Sequence, residues 1–159
     1  MNPIEKEHFK EALSHFATGV TVVTAMEEAR PVGFTCQSFT ALSLDPPMIA
    51  IAPAKSSTSW PRMVQAGAFC VNILAENQER LSRSFASSGG NKFVGVSWHT
   101  GLSGAPILDG CLAVVECSLD SIYEAGDHEL VTGHVVSLSI GKGGPLLYFR
   151  SRLTKIVNE

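Results

Sequence analysis

The chain opens on a helical rhythm: within residues 3–16, Phe9, Leu13 and Phe16 fall at i, i+4 and i+7, the spacing of one apolar helix face. After Gly19 the rhythm becomes that of extended chain. Gly19–Ala25 (GVTVVTA) is β-branched and predicts a strand, and the polar residues 27–31 can turn the chain back into a second strand over Val32–Phe39. Pro46 and Pro47 break the pattern ahead of a short apolar strand, Met48–Ala52. Hydroxyl residues before Pro61 predict a helix N-terminus, with the helix ending near Ala66. Ala68–Leu74 reads as a strand, and Glu76–Ala86, with Leu81 and Phe85 at i and i+4, as a surface helix followed by a loop over Ser87–Asn91. Leu112–Tyr123 and Glu129–Ile140 are long strand-like runs flanking a hairpin connection at 124–128. A glycine loop, Gly141–Gly144, precedes a last short strand, Leu146–Arg150. About six or seven strands with few helices favour a mainly β fold, closed into a barrel, over a doubly wound sheet.

Length and composition narrow the class. One domain over residues 1–159 is the expectation, large enough to bury a core without disulfide or metal staples. Hydrophobic residues are 45% and charged residues 17%, which excludes a disordered or tail-like chain and suggests surface hidden in an oligomer. The net charge is −3 with no basic run, so a nucleic-acid footprint is missing. The N-terminal residues carry no signal-like apolar core, and no stretch approaches the ~18 apolar residues of a membrane span. A cytoplasmic protein with neither nucleic-acid nor membrane partner is expected. Cys36, Cys70, Cys111 and Cys117 form no C-x-x-C and have no histidine at finger spacing, so no metal site is expected. They read as reduced thiols acting as small hydrophobes, with a disulfide or a ligand-lining Cys36 as alternatives.

No G-x-G-x-x-G follows a strand, Gly141–Gly144 lacks P-loop spacing, and neither G-x-S-x-G nor H-E-x-x-H occurs. Chemistry must therefore sit on scattered residues or on a cofactor. Lys55-Ser56-Ser57-Thr58-Ser59 gathers a lysine, hydroxyls and free helix-start N–H groups, which is either a phosphate seat or a solvated cap. Gly33-Phe34-Thr35-Cys36-Gln37-Ser38-Phe39 has short or polar side chains on one face, suited either to the approach of a flat ring or to an exposed edge strand. His128, after Gly126 and Asp127, is either a turn residue or a group leaning over such a ring. Tyr148 fits packing or a site wall.

Together these stretches resemble the short-chain flavin reductases, the reductase components of two-component flavin-dependent monooxygenases. The likeness runs from about Phe16 to Leu153: Phe16–Thr24, Gly33–Thr40, Leu44–Pro47, Lys55–Thr58, Phe69–Leu74, Gly126–His128 and Pro145–Arg150, in that order. The resemblance implies an FMN-binding split β-barrel of Greek-key type, working as a homodimer with flavin near the subunit interface. It implies that Gly33, Phe34, Thr35, Cys36, Gln37 and Ser38 line the ring. Ala52 with Lys55, Ser56, Ser57 and Thr58 would hold the ribityl chain and phosphate. Cys70, Val71, Asn72, Phe85, Lys92 and Phe93 would complete the pocket. His128 matches the histidine near the nicotinamide, and Tyr148 is a second candidate. Cys36 stands where the family often has a small alcohol or alanine. FMN or FAD is the implied cofactor and NADH or NADPH the hydride donor, with reduced flavin passed to a partner monooxygenase. Three other readings remain: a flavin carrier without NAD(P)H activity, a pyridoxamine-phosphate-oxidase-like or heme-handling barrel, and a cofactor-free structural dimer. The Gly126-Asp127-His128 motif argues against the second, and Lys55–Thr58 has no role in the third.

Overall fold

The computed structural model describes residues 4–157. Helix α1 spans Lys6–Ser14; the expected start at Pro3 lies outside the described residues. Among the described residues the apolar stripe of α1 stays largely open, for Phe9 is 52% and Leu13 58% exposed, and no residue of the helix is buried. Strands β1 (Thr18–Gly19), β2 (Thr21–Glu27) and β3 (Arg30–Cys36) follow. The β2–β3 turn is tighter than expected, two residues with Glu28 at φ +53°. The expected strand 32–39 is two strands: β3 ends at Cys36 and β4 (Phe39–Leu44) leaves after the Gln37-Ser38 corner. Then come β5 (Pro47–Ile51), α2 (Trp60–Val64), β6 (Ala68–Ile73), α3 (Glu79–Ala86), β7 (Trp98–Thr100) and β8 (Pro106–Leu108). The long hairpin β9 (Ala113–Ala125) and β10 (His128–Ile140) turns at Gly126-Asp127, and β11 (Leu147–Phe149) and β12 (Arg152–Thr154) close the chain.

Seven strands form one antiparallel sheet in the order β3-β2-β6-β9-β10-β5-β4. The fold is thus mainly β with few helices. Its two outer strands, β3 and β4, are consecutive in sequence, and no ladder joins them among the described residues. The sheet nevertheless encloses one core. Val23, Phe34, Ile49, Ile51, Phe69 and Val131, drawn from strands across its width, pack in a single cluster, with Trp60 and Met63 of α2 among them. A second cluster, with Val20, Val22, Cys70, Phe85, Phe93 and Leu108, covers the opposite face of β2 and β6. Both faces of β2 are therefore buried, which is why Val20–Ala25 runs apolar without alternation. Each fully buried aliphatic or aromatic side chain contributes about 1.5–3 kcal/mol.

Close packing fixes Gly133 on β10. A Cβ there would lie 2.8 Å from Phe69 Cζ and 3.0 Å from Cys117 Cβ, and the ladder shifts register at this point. All four cysteines are free and buried. Burial pushes the Cys36 and Cys111 thiols up to about 11, and Cys117 up to about 12 with help from the Glu116 charge. Burial raises Cys70 as well. Among the described residues, no helix is long and apolar enough to cross a membrane, and no group of three or more potential metal ligands occurs.

Candidate functional site

A cleft of about 840 Å³ opens where the outer strand β3 meets the loop after β5. One wall is Phe34, Thr35 and Cys36 of β3, continued by Gln37 and Ser38. Because β3 is an outer strand, its far edge carries backbone donors and acceptors that no ladder uses. Thr35 Oγ1 donates to the Ser82 carbonyl at 2.6 Å and so fixes β3 against α3. The Cys36 thiol lies 3.7 Å from the Ser38 carbonyl and turns the corner.

The second wall is the loop from Ala52 through Ser56, Ser57, Thr58 and Ser59. The helix start predicted here exists, although its N-cap residue, Ser59, makes no side-chain cap hydrogen bond; instead Ser57 Oγ, two residues earlier, receives the N–H of Ser59 at 3.3 Å and of Trp60 at 3.1 Å. The N–H of Ser57 bonds to the Ala54 carbonyl at 2.9 Å and that of Lys55 to the Asp127 carbonyl at 3.0 Å. These bonds leave the N–H groups of Ser56 and Thr58, and both side-chain hydroxyls, available to the cleft.

His128 reaches the cleft because the β9–β10 hairpin tip is laced to this loop. Ala54 and His128 form a bridge in which the Glu129 N–H donates to the Pro53 carbonyl at 3.0 Å. Trp60 Nε1 donates to the Glu129 carboxylate at 2.5 Å, and Lys55 pairs with Glu124. His128 Nδ1 is 2.7 Å from Asp127 Oδ1, and that hydrogen bond holds the Asp127 carboxyl below its usual range.

The far wall comes from α3 and the segment after it, and Phe85 forms part of it. Lys92 Nζ donates to three oxygens, the Phe85 carbonyl at 3.0 Å, the Gly33 carbonyl at 3.2 Å and Ser59 Oγ at 3.3 Å. Burial, aided by the Arg62 charge, lowers its pKa. Tyr148 stands at the mouth with Arg152. Arg83, Lys92 and Arg152 line the cleft, and none of the lining residues is Asp or Glu. The walls therefore offer hydroxyls, free main-chain donors and cationic side chains, a donor set for an anion attached to a flat body.

Several expected residues lie elsewhere. Cys70, Val71 and Asn72 are buried inside β6, and Asn72 is occupied there. Its Nδ2 donates to the Val22 carbonyl at 3.1 Å and Thr24 Oγ1 at 3.0 Å, while Oδ1 accepts the Leu108 N–H at 2.8 Å. Phe93 is buried edge-on to Phe85 at 4.9 Å, behind the wall. Lys55 turns outward to Glu124, and Gly33 lines a smaller neighbouring cleft. Conversely, Ser82, Arg83, Ala86, Ser87 and Ser88 line the main cleft without having been expected. The hydroxyl density of Ser82–Ser88, akin to that of Lys55–Ser59, was the available signal. Arg152 and Leu153 had none.

The architecture is thus a single antiparallel sheet with a cation- and hydroxyl-lined cleft at its outer strand. The chain belongs to the flavin reductase like domain family, whose match covers residues 13–156. It is 45% identical over 154 residues to the reductase subunit HsaB of a flavin-dependent monooxygenase from Rhodococcus jostii, covering 96% of this chain and 79% of that one. Nitrilotriacetate monooxygenase component B from Mycobacterium thermoresistibile superposes with a TM-score of 0.93 at 44% identity, covering 96% of this chain and 87% of that one. The NADH:FAD oxidoreductase SgcE6 of Streptomyces globisporus, solved with NAD and FAD fragments, gives 0.92 at 32% identity, covering 99% and 96%.

Proposed function

We propose that the protein is an NAD(P)H-dependent flavin reductase, a single-domain split barrel that supplies reduced flavin to a partner monooxygenase. The observation that carries this reading is the carboxylate-free cleft, with an unladdered strand edge on one side and the Ser56–Thr58 loop on the other. Its size and donor set fit a flavin: main-chain groups of Thr35 to Ser38 for the polar edge of the ring, and the hydroxyls and amides of Ser56 and Thr58 for the phosphate. Bound flavin would supply the redox chemistry, accepting hydride from the nicotinamide. The residues orient and stabilise. Backbone donors of β3 favour negative charge developing at the ring edge. His128, held by Asp127, positions the nicotinamide over the exposed face of the ring. Phe85 and Lys92 hold the α3 wall, and Tyr148 borders the mouth.

Mixing the purified protein with NADH and FMN or FAD and following flavin absorbance near ~450 nm tests the proposal: rapid bleaching is expected, and saturable flavin binding without bleaching would mean a carrier instead. His128→Ala is expected to raise KM for the nicotinamide more than it weakens flavin binding; equal losses would remove histidine from that role. Ser56→Ala combined with Thr58→Ala is expected to cost roughly 1–3 kcal/mol of FMN affinity, the range for hydrogen bonds to a charged group, and to leave riboflavin binding unchanged. Calorimetric titration of both flavins checks the difference.

We also propose a homodimer as the working form. The apolar face of α1 and the exposed Leu138 and Ile140 of β10 are the surfaces such pairing would cover.

A further inference from the structure

Arg83, Lys92 and Arg152 are the arginine and lysine side chains that line the main cleft, and the first two are already engaged. Arg83 donates to the Glu79 carboxylate through Nε at 3.0 Å and Nη2 at 2.7 Å, and Lys92 Nζ donates to its three oxygens. Arg152 is exposed, and among the described residues its guanidinium makes no hydrogen bond and no ion pair. The backbone that presents it is strained and braced. Strands β11 and β12 join through Arg150 and Ser151, at φ +47° and +60°, left-handed conformations that residues with a Cβ disfavour. Strain of this kind persists only where the surroundings over-determine it. Here the Arg150 N–H donates to the Ser14 carbonyl at 2.8 Å, the Arg150 guanidinium lies 5.3 Å from the Phe149 ring centroid, and Tyr148 and Leu153 pack on the second core cluster. The hairpin tip is fixed, while the Arg152 side chain beside it is left for a ligand.

Resting on the reductase reading above, we infer that Arg152 is a specificity-determining residue for the hydride donor and binds the diphosphate bridge of the nicotinamide dinucleotide. On that reading the phosphate of FMN has its own seat at Ser56–Thr58, so the unengaged cation on β12 is left for a second anion. The donor is the other anionic reactant, and its nicotinamide is guided by His128, which lines the same cleft. A guanidinium presents a planar fork of N–H donors that can meet two phosphate oxygens at once. The bridge is remote from the transferring hydride and carries the same charge before and during transfer. The contact therefore holds the donor without lowering the barrier, and its removal raises KM while sparing kcat.

The test compares wild type, Arg152→Ala and Arg152→Lys with FMN as acceptor and three donors: NADH, NADPH and 1-benzyl-1,4-dihydronicotinamide, which has no phosphate. In Arg152→Ala, KM for NADH and for NADPH should rise by the same factor, about tenfold, with kcat little changed. KM for the phosphate-free donor should move less than about twofold, and Arg152→Lys, keeping the charge without the fork, should recover part of the loss. Calorimetric titration of NAD⁺ into the FMN-saturated protein should show the same weakening of about tenfold, while the affinities for FMN and FAD alone stay constant. An unchanged KM for NADH overturns the inference. So does an equal rise for the phosphate-free donor, which would mean a general defect at the mouth. A rise confined to NADPH would give the guanidinium to the ribose 2′-phosphate, and a fall in FAD affinity would give it to the flavin; either overturns it too. In each of these cases flavin reduction by the wild type leaves the reductase reading standing, whereas a wild type that reduces flavin with none of the donors removes both.

Discussion

Phe85→Ala is expected to lower unfolding free energy by about 3–5 kcal/mol, the usual cost of emptying a buried aromatic site. Phe85 is completely buried, stands edge-on to Phe93 at 4.9 Å, and approaches Gly33 so closely that a Cβ there would lie 2.9 Å from its ring. No backbone can close such a hole without dragging β3 inward, and β3 is the strand whose outer edge faces the main cleft. Urea denaturation should show an earlier midpoint with an unchanged slope, and flavin affinity should fall with it. A loss under about 1 kcal/mol would mean that the wall of the cleft is far softer than its packing implies.

Asn72→Leu separates a structural role from a binding role at one residue. The side chain is fully buried, and leucine has similar bulk but no polar atoms. Substitution abandons the Leu108 N–H and the Val22 carbonyl in an apolar interior, at about 1–3 kcal/mol per abandoned group. A loss of about 2–4 kcal/mol is therefore expected. Flavin affinity of the folded variant, measured well below its melting temperature, should change less than twofold, because Asn72 does not line the cleft. A tenfold loss of affinity with normal stability would restore Asn72 to the cofactor's surroundings.

These two residues also mark what was legible in the sequence. Phe85 was legible as the apolar face of a helix, yet its neighbours Ser82, Arg83 and Ser87 looked like the solvent side of that helix; only the approach of β3 makes them a wall. Asn72 was assigned to the pocket through the family resemblance alone. Its partner Leu108 is distant in sequence, and nothing local announces such a bond. The long hairpin of β9 and β10 was located to within two residues at each end, since long β-rich runs flanking glycine are a local signal. Strands β1, β7, β8 and β12, of two or three residues each, were not visible, because tertiary contact alone creates them. The Thr35–Ser38 and Ser56–Thr58 stretches, singled out from residue type, both border the cleft, while Lys55, singled out with them, does not line it. The charge of Glu124, across the hairpin, draws it outward.

The lacing between the tip of the long hairpin and the alcohol-rich loop has a kinetic corollary. On the proposed reading, the seat of the acceptor's phosphate and the guide for the donor's nicotinamide are one rigid piece, fastened by main-chain bonds at Lys55 and Glu129 and by the indole of Trp60. Any breathing that frees a spent flavin therefore swings the histidine away from the oxidised donor in the same stroke. On that reading, release of the two products would be coupled through the bonds at Lys55 and Glu129.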